Sequence, residues 1–354
     1  MICLIYTSAG RDDRSRTVRR SGANLFCNVC VFNDARAEND MKKRDICVLG
    51  GTGFVGQHLV AALSSAGWHV RVLSRHRERY RELLVLPNVD VIEANILDEG
   101  VLREHFPGAA AVINLVGILN ERHRGDFQAV HADLPRRIVS ACRLLGVPRL
   151  LHMSALNADA ATGPSQYLRS KGEGEDAVHA ADLAVTSFRP SVIFGPGDHF
   201  FNQFACLIKA APGMLPLACP GARFAPVYVG DVVAAFVKAM TNKSTCGQRY
   251  NLCGPAAYSL RELFEFTAAV SGRRCTVIGL PNALSAIQAR VMGLLPGKPL
   301  TYDNYLSMQV DGVCAGGFPD VFGITPASIE SIVPRYVARK GDPFDEIRHH
   351  ARHD

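Results

Sequence analysis

The feature that most constrains the fold is a glycine-rich turn between an apolar run and a helical pattern. Residues 46–49 predict a buried strand, and residues 50–56 read Gly-Gly-Thr-Gly-Phe-Val-Gly. Leu59, Leu63 and Ala66 then recur at helical spacing. Strand, glycine turn and helix in this order predict the first unit of a sheet that binds a dinucleotide.

Strand and helix patterns continue to alternate after this unit. Strands are predicted at 70–73, 89–94, 110–115, 150–154 and 185–189, with helical patterns among them. Strands separated by helices pair in parallel through right-handed crossovers. We therefore predict an α/β fold, a Rossmann-type doubly wound parallel sheet with a smaller C-terminal lobe on the substrate side.

The composition of the chain changes along its length. Residues 1–43 show no sustained period and are expected to be a disordered or non-native extension, with Met41 resembling a natural start. Residues 44–255 are expected to form the NAD(P)-binding domain, with sheet-completing segments interleaved later. Residues 256–340 are expected to form the smaller lobe, and residues 341–354 a flexible tail.

Composition and charge exclude several classes of protein. The 354 residues are 48% hydrophobic and 20% charged, which is ordinary for a globular protein. No run approaches the ~20 apolar residues that cross a bilayer, so membrane contact is expected to be peripheral at most. The net charge of +6 forms no basic stripe on a recognisable element, so no nucleic-acid partner is expected.

The eleven cysteines are scattered along the chain. Cys47 and Cys142 lie in apolar runs, where a thiol behaves as a small hydrophobe. This pattern favours a reducing compartment and a cytoplasmic location. Cys27 and Cys30 form a CxxC pair without a second pair at suitable spacing, so no metal is expected.

The glycines of the turn have distinct predicted roles. Gly50 allows a tight turn, Gly53 allows the backbone to approach a pyrophosphate, and Gly56 allows the helix to pack closely on the strand. The free amides of the helix N-terminus then face the phosphate charge. The predicted cofactor-binding residues of this segment are Gly50, Thr52, Gly53, Phe54, Val55 and Gly56.

The end of the second strand indicates which dinucleotide is preferred. Sites for NAD usually present Asp or Glu there, whereas this chain has Ser74 and Arg75. A guanidinium can bind a 2′-phosphate, so NADP(H) is preferred and NAD(H) is the alternative. Arg75 as a solvated surface residue is the other interpretation. Asn95 and Asp98 are expected to flank the adenine. The remaining predicted cofactor contacts are Ile96, Leu115, Val116, Gly117, Tyr167, Lys171, Pro190 and Val192.

Ser154, Tyr167 and Lys171 form a second candidate constellation. Tyr167 and Lys171 are four residues apart, so they share a helical face and the ammonium can stabilise a phenolate. Tyr167 would be the general acid or base, Ser154 would bind the same substrate oxygen, and Lys171 would also hold the nicotinamide ribose. A Tyr and a Lys at this spacing also occur on solvated helices.

These motifs resemble those of extended or atypical short-chain dehydrogenases/reductases, the epimerase/dehydratase-like proteins. The resemblance is carried by the glycine segment, by Asn-Leu-Val-Gly at 114–117, by Tyr-Leu-Arg-Ser-Lys at 167–171, and by Phe-Arg-Pro-Ser-Val-Ile-Phe-Gly-Pro-Gly at 188–197. It covers the chain from about residue 44 to residue 340.

Within this superfamily the chain is most similar to the NADPH-binding accessory subunit of respiratory complex I and its bacterial relatives. The similarity is carried by residues 130–131, 151–158 and 194–204. It implies a tightly held NADPH, respiratory-complex subunits as partners, and a peripheral position on the inner membrane. His131 stands where catalytic members usually have an Asn in the proton relay, which weakens the case for an enzyme.

Two functions follow from the resemblance. In the first, the cofactor is held for a structural, assembly or quinone-linked redox role, with or without turnover. In the second, the protein is an NADP-dependent oxidoreductase or epimerase that acts on a small hydroxy or keto substrate through Ser154, Tyr167 and Lys171. The first is preferred, and the intact Tyr167 and Lys171 keep the second open.

The later chain contains two further signals. Ser259 and Glu262 predict a capping box at the start of a helix over 260–270. Residues 280–295 form a mostly apolar amphipathic stretch. This stretch is interpreted either as a lid helix over the cleft or as a docking surface for a membrane or a partner subunit.

Overall fold

A computed structural model describes residues 45–210, 213–295 and 298–338. The predictions for residues 1–43 and 341–354, and for the Cys27 and Cys30 pair, lie outside these residues. Within the described ranges no helix combines the length and apolar character needed to span a bilayer.

The chain alternates strands and helices as the sequence predicts. The strands are β1 (Asp45–Leu49), β2 (His69–Ser74), β3 (Val89–Glu93), β4 (Ala111–Asn114), β5 (Arg149–Met153), β6 (Ala184–Pro190), β7 (Ile193–Phe194), β8 (Gly213–Leu217), β9 (Arg223–Phe224), β10 (Val227–Tyr228), β11 (Gln248–Leu252), β12 (Tyr258–Ser259) and β13 (Cys275–Gly279). The helices are α1 (Phe54–Ser65), α2 (Arg81–Leu84), α3 (Glu99–His105), α4 (Leu134–Leu145), α5 (Gln166–His179), α6 (Phe201–Ala210), α7 (Val229–Thr241), α8 (Leu260–Val270), α9 (Asn282–Met292), α10 (Tyr302–Ser307), α11 (Ile329–Ile332) and α12 (Pro334–Val337). A π-helical segment, Gln128–Asp133, leads into α4.

Seven parallel strands form the central sheet in the order β11-β6-β5-β4-β1-β2-β3. The order reverses between β1 and β4, so the crevice at their carboxyl ends is the expected place for a ligand. The predicted α/β fold is confirmed. The sequence analysis did not predict β11, which pairs in parallel with β6 at the edge of the sheet.

Helices cover both faces of this sheet because its strands are apolar on both sides. On one face, Leu59 of α1 and Phe236 of α7 pack with Val48 of β1 in a single core. On the other face, Ile138 of α4 and Val178 of α5 pack in a second core. The sheet is thereby held rigidly between two helical layers, which fixes the ends of its strands.

A third core is formed by elements that lie outside the central sheet and its two helical layers. It contains side chains of α6, β8, α8, β13 and the last helices, including Phe204, Leu263 and Ile329. The predicted capping box opens α8 as expected, since Ser259 and Glu262 satisfy each other's backbone N–H groups. These elements therefore share an apolar centre that is distinct from the two cores on the sheet.

One pair of cysteines departs from the prediction of a fully reduced chain. Cys253 and Cys314 form a disulfide across a sequence separation of 61 residues. Scattered spacing does not reveal which thiols meet in space, so the sequence analysis could not find this pair. Cys47 is buried as predicted, and burial raises the pKa of its thiol to about 12.

Candidate functional site

The glycine turn lies at the carboxyl end of β1, against the chain that leaves β4. Gly50 has a φ of +79°, and a Cβ there would stand 3.0 Å from the carbonyl carbon of Leu115. A Cβ on Gly56 would overlap the carbonyl oxygen of Gly50, so only glycine allows α1 to pack this closely on the turn. The three-dimensional structure thus gives Gly50 and Gly56 the roles predicted for them.

The N-terminus of α1 faces the same crevice. Gly53 is the N-cap residue and provides no side-chain cap, and the first turn of α1 contains no acidic residue. Its unpaired N–H groups carry the positive end of the helix dipole. The arrangement is suited to an anion and has no carboxylate that would repel one.

A cavity of about 130 Å³ continues from this crevice past the end of β2. It is lined by Gly50, Thr52, Leu73, Ser74, Arg75, His76, Tyr80, Ala94, Ile96 and Val116. The structure therefore brings Arg75 together with much of the predicted cofactor set. His76 and Tyr80 were missed, although they follow β2 closely and a run of polar and aromatic side chains there was a usable signal.

Other residues predicted to contact the cofactor serve the surrounding loops. The Asn95 side chain accepts the Leu97 N–H at 3.2 Å. Asp98 caps α3 by accepting the Gly100 N–H at 2.8 Å. These two side chains are engaged locally, and the adenine-flanking role stays a prediction.

The remaining predicted contacts lie along the same edge of the sheet. Gly117 follows β4, and a Cβ there would lie 3.7 Å from both the His131 Nε2 and the Lys171 Nζ. Pro190 ends β6, and the Val192 carbonyl accepts the Val227 N–H at 2.9 Å. Phe54 packs edge-on against His58, with ring centroids 5.6 Å apart, and Val55 follows Phe54 in α1.

Lys171 lies on α5 and is almost fully buried. Its Nζ donates to the Met153 carbonyl, at the end of β5, at 2.6 Å. Burial lowers the pKa of the ammonium to about 8, and the carboxylate of Glu175 partly opposes this shift. The Lys171 side chain thus extends from α5 to the carboxyl end of β5.

Tyr167 precedes Lys171 by one turn and is half-buried. Burial, with a smaller contribution from the charge of Asp303, raises the pKa of its phenol to about 12. The Asp303 carboxylate accepts the N–H groups of Gln166 and Tyr167 at 2.7 and 3.1 Å, at the start of α5. Asp303 was missed in the sequence analysis because it reaches the site from α10, far along the chain.

Ser154 follows β5 directly and is buried. Its Oγ donates to the Glu175 carboxylate at 2.6 Å, and Glu175 is 0% exposed. The same carboxylate accepts from the Nε of Arg189 at 2.8 Å and of Arg249 at 2.9 Å. Ser154 therefore belongs to a buried hydrogen-bond network with Glu175 of α5, and its contact with a substrate oxygen stays a prediction.

His131 is buried beside Tyr167. Its Nε2 accepts the Ile118 N–H at 3.0 Å, so its Nδ1 carries the hydrogen and donates to the Ser170 Oγ at 2.9 Å. The His131 and Tyr167 rings pack edge-on with centroids 5.5 Å apart. Burial, with a smaller effect from Lys171, lowers the pKa of His131 to about 2, so the imidazole is neutral at physiological pH.

Comparisons with known proteins agree with this geometry. Residues 46–253 match the model of the NAD dependent epimerase/dehydratase family. The mitochondrial NADH dehydrogenase (ubiquinone) 1 alpha subcomplex subunit 9 of Rattus norvegicus is 30% identical over 292 residues, covering 80% of this chain and 77% of that protein. The ceramide reductase of Caulobacter vibrioides is 31% identical over 242 residues, covering 67% of this chain and 74% of the reductase.

Solved structures share the fold at low identity. A dTDP-glucose 4,6-dehydratase of Streptomyces venezuelae with NAD bound superposes with a TM-score of 0.64 at 18% identity, covering 85% of this chain and 98% of the dehydratase. The UDP-glucose 4-epimerase of Thermus thermophilus in complex with NAD gives a TM-score of 0.56 at 23% identity, with 74% and 98% covered.

Proposed function

Because the chain belongs to the NAD dependent epimerase/dehydratase family, we propose that it holds NADP(H) in the crevice between β1 and β4 for a structural, assembly or quinone-linked role. The family resemblance predicted from the motifs is confirmed. In this proposal the segment before residue 256 binds the dinucleotide and the lobe after it faces the substrate or partner side.

The residues of the crevice fit a dinucleotide. Gly50 and Gly56 allow the turn to pack closely against the chain after β4 and against α1, and the amides at the start of α1 are free to bind a diphosphate. The 130 Å³ cavity beside it has the apolar Ile96 and Val116 for an adenine. With the dinucleotide bound along the crevice, its nicotinamide would supply hydride chemistry, and Lys171 would hold the nicotinamide ribose.

The cavity also supports the preference for NADP(H). Arg75 lines it and is exposed, and His76 lies next to Arg75 on the same wall. A guanidinium forms strong charge-assisted hydrogen bonds with a phosphate, and no carboxylate lines this cavity to bind ribose hydroxyls instead. NAD(H) is the weaker candidate because it lacks the 2′-phosphate that Arg75 would bind.

A role without turnover is favoured because residues expected in a proton relay are already hydrogen-bonded to other protein groups. Ser154 is bonded to Glu175, and His131 is bonded to Ile118 and Ser170. A phenol with a pKa raised to about 12 is a poor base at neutral pH. The similarity to a complex I subunit favours partners in a respiratory complex and a peripheral position on the inner membrane.

The alternative is an active NADP-dependent oxidoreductase or epimerase. It is supported by Tyr167 and Lys171, which lie one turn apart on α5 beside Gly117. In that case Tyr167 would give a proton to, or take one from, a hydroxyl or carbonyl oxygen, and the Lys171 charge would favour the phenolate. The similarity to a ceramide reductase also favours this alternative.

Cofactor choice is tested with Arg75→Ala and the matched control Arg143→Ala, an exposed arginine on α4. Calorimetric titration should show NADPH affinity reduced about tenfold or more by Arg75→Ala, with little change for NADH, because a charge-assisted bond to phosphate is removed. The control should bind both nucleotides as the parent does. Equal losses for NADPH and NADH in Arg75→Ala would contradict the preference for NADP(H).

The two roles are separated by Tyr167→Phe. The substitution should leave NADPH binding within about twofold of the parent, because the phenol oxygen is only one contact beside those of the glycine turn, Arg75 and Lys171. If the role is structural, assembly of the respiratory complex in cells also survives the change. Loss of that assembly with binding intact would favour the catalytic alternative.

A further inference from the structure

The structure exposes a stripe of large apolar side chains along α9. Leu284, Ile287 and Val291, at spacing i, i+3 and i+7, are 48%, 53% and 56% exposed. Ser285 and Ala289, on the opposite side of the helix, are fully buried. The helix therefore turns an apolar face to solvent, which is unfavourable unless something covers that face.

Neighbouring elements extend this surface. Gln288 of α9 donates to the Pro216 carbonyl at 3.0 Å, so α9 packs beside the ribbon formed by β8 and β13. That ribbon exposes further apolar side chains, and so does the chain after α9. We call the set the docking face: Met214, Ile278, Leu284, Ile287, Val291, Leu294 and Leu295.

Within residues 273–295 of the docking face every charged side chain is an arginine, whereas the acidic Glu121 and Asp303 line the neighbouring cavity that also includes Arg290 and Leu294. Arg273 and Arg274 precede β13 and are exposed, and Arg290 lies exposed on α9. Arg290 also stacks on the ring of Tyr302, 4.6 Å from its centroid. From residue 266 to residue 302 the chain contains no acidic residue. A partner of this surface must therefore be apolar at its centre and negatively charged around it.

We propose that the docking face lies on an anionic lipid surface, with the apolar side chains in the acyl boundary and the arginines on the headgroups. Apolar residues flanked by arginines and tyrosine are the combination that binds membrane interfaces. A second copy of this chain fits less well, because a symmetric contact would oppose the same arginines to one another. The proposal does not depend on the bound nucleotide.

Docking in this way has a consequence for the candidate site. A cavity of about 360 Å³ is lined by Arg290 and Leu294 of this surface. Phe127, Gln166 and Asp303, near Tyr167, also line it. A docked molecule would therefore present this cavity, and the start of α5, to the lipid surface.

The test is flotation of the full chain with vesicles. Phosphatidylcholine vesicles with and without phosphatidylglycerol are compared for the parent, for Leu284→Gln/Ile287→Gln and for Arg273→Gln/Arg274→Gln. Leu144→Gln, which alters an exposed leucine on α4, is the matched control. NADPH retention and the unfolding temperature check that every variant is folded, which is expected because the changed side chains are exposed.

The parent should bind only the vesicles that contain phosphatidylglycerol. The apolar double variant should lower the partition coefficient about tenfold or more. The arginine double variant should lower it about fivefold per arginine at low salt. Leu144→Gln should bind as the parent does. The proposal is overturned if the parent binds no vesicle, or if Leu144→Gln loses as much vesicle binding as the apolar double variant. It is also overturned if the parent is a dimer that only the apolar double variant dissociates.

Discussion

Acidification should destabilise the protein through His131, and the variant His131→Asn isolates this effect. Burial lowers the pKa of the folded imidazole to about 2, against an ordinary value of 6.5. Below pH 6.5 the His131 imidazole binds a proton in the unfolded chain but not in the folded protein. The free energy of unfolding therefore falls as the pH falls. The stabilisation is complete above the unfolded pKa and declines steadily beneath it.

The size of the effect follows from the width of this window. Each pH unit below the unfolded pKa lowers the free energy of unfolding by about 1.4 kcal/mol for one such histidine. Between pH 6.5 and about pH 4.5 the His131 contribution is therefore about 2–3 kcal/mol. His152 and His179 also have lowered pKa values, but they are present in both proteins and cancel in the comparison.

The assay is urea unfolding of parent and variant at a series of pH values. The variant loses the hydrogen bonds of His131 and should be less stable than the parent at pH 7.5. Because Asn does not titrate, the difference between the two proteins should shrink by about 2–3 kcal/mol on acidification to about pH 4.5. Parallel curves for the two proteins would refute the assignment of a neutral, buried imidazole beside Lys171.

Two further predictions concern long-range contacts. Asp303→Asn should lower the pKa of Tyr167 from about 12, because it removes a negative charge from the start of α5. The pKa is measured by spectrophotometric titration, with Asp303→Asn/Tyr167→Phe as the reference. An unchanged pKa of the Tyr167 phenol would contradict the prediction. Cys253→Ser/Cys314→Ser should lower the free energy of unfolding by about 2–4 kcal/mol. A thiol reductant should bring the parent to the same value, and a parent insensitive to the reductant would argue against a disulfide.

Local signals predicted the parts of the fold that depend on neighbouring residues. Residues 46–49 are fully apolar, and they form β1 within one residue of the predicted bounds. The glycine turn needed no distant partner, since its backbone requirement is visible in the sequence itself. The capping box of Ser259 and Glu262 was predictable for the same reason, because both residues belong to one helical turn.

The parts that were missed depend on residues far apart in the chain. The hydrogen bond from Ser154 to Glu175 was not predicted, because Glu175 is 21 residues away and its burial is not visible in the sequence. Asp303 reaches the Tyr167 N–H across 136 residues. Sequence periodicity gives no information about such a contact, because the contact depends on how α10 packs against α5.

The orientation of α9 was missed for a related reason. Its apolar pattern predicted either a lid or a docking surface, since the sequence alone does not tell which face is turned inwards. The structure buries the small residues Ser285 and Ala289 and leaves Leu284 and Ile287 outside. Which face turns inwards depends on the packing of α9 beside β8, and the choice between lid and docking surface is left to the vesicle experiment.

The most direct test of the account is to measure which nucleotide the unmodified protein binds. Native mass spectrometry of the purified chain, followed by calorimetric titration of the nucleotide-free protein with NADPH and NADH, gives identity, stoichiometry and affinity together. The account predicts one NADPH per chain, bound at least about tenfold more tightly than NADH. A protein that binds neither dinucleotide at saturating concentration, while still folded, would contradict it.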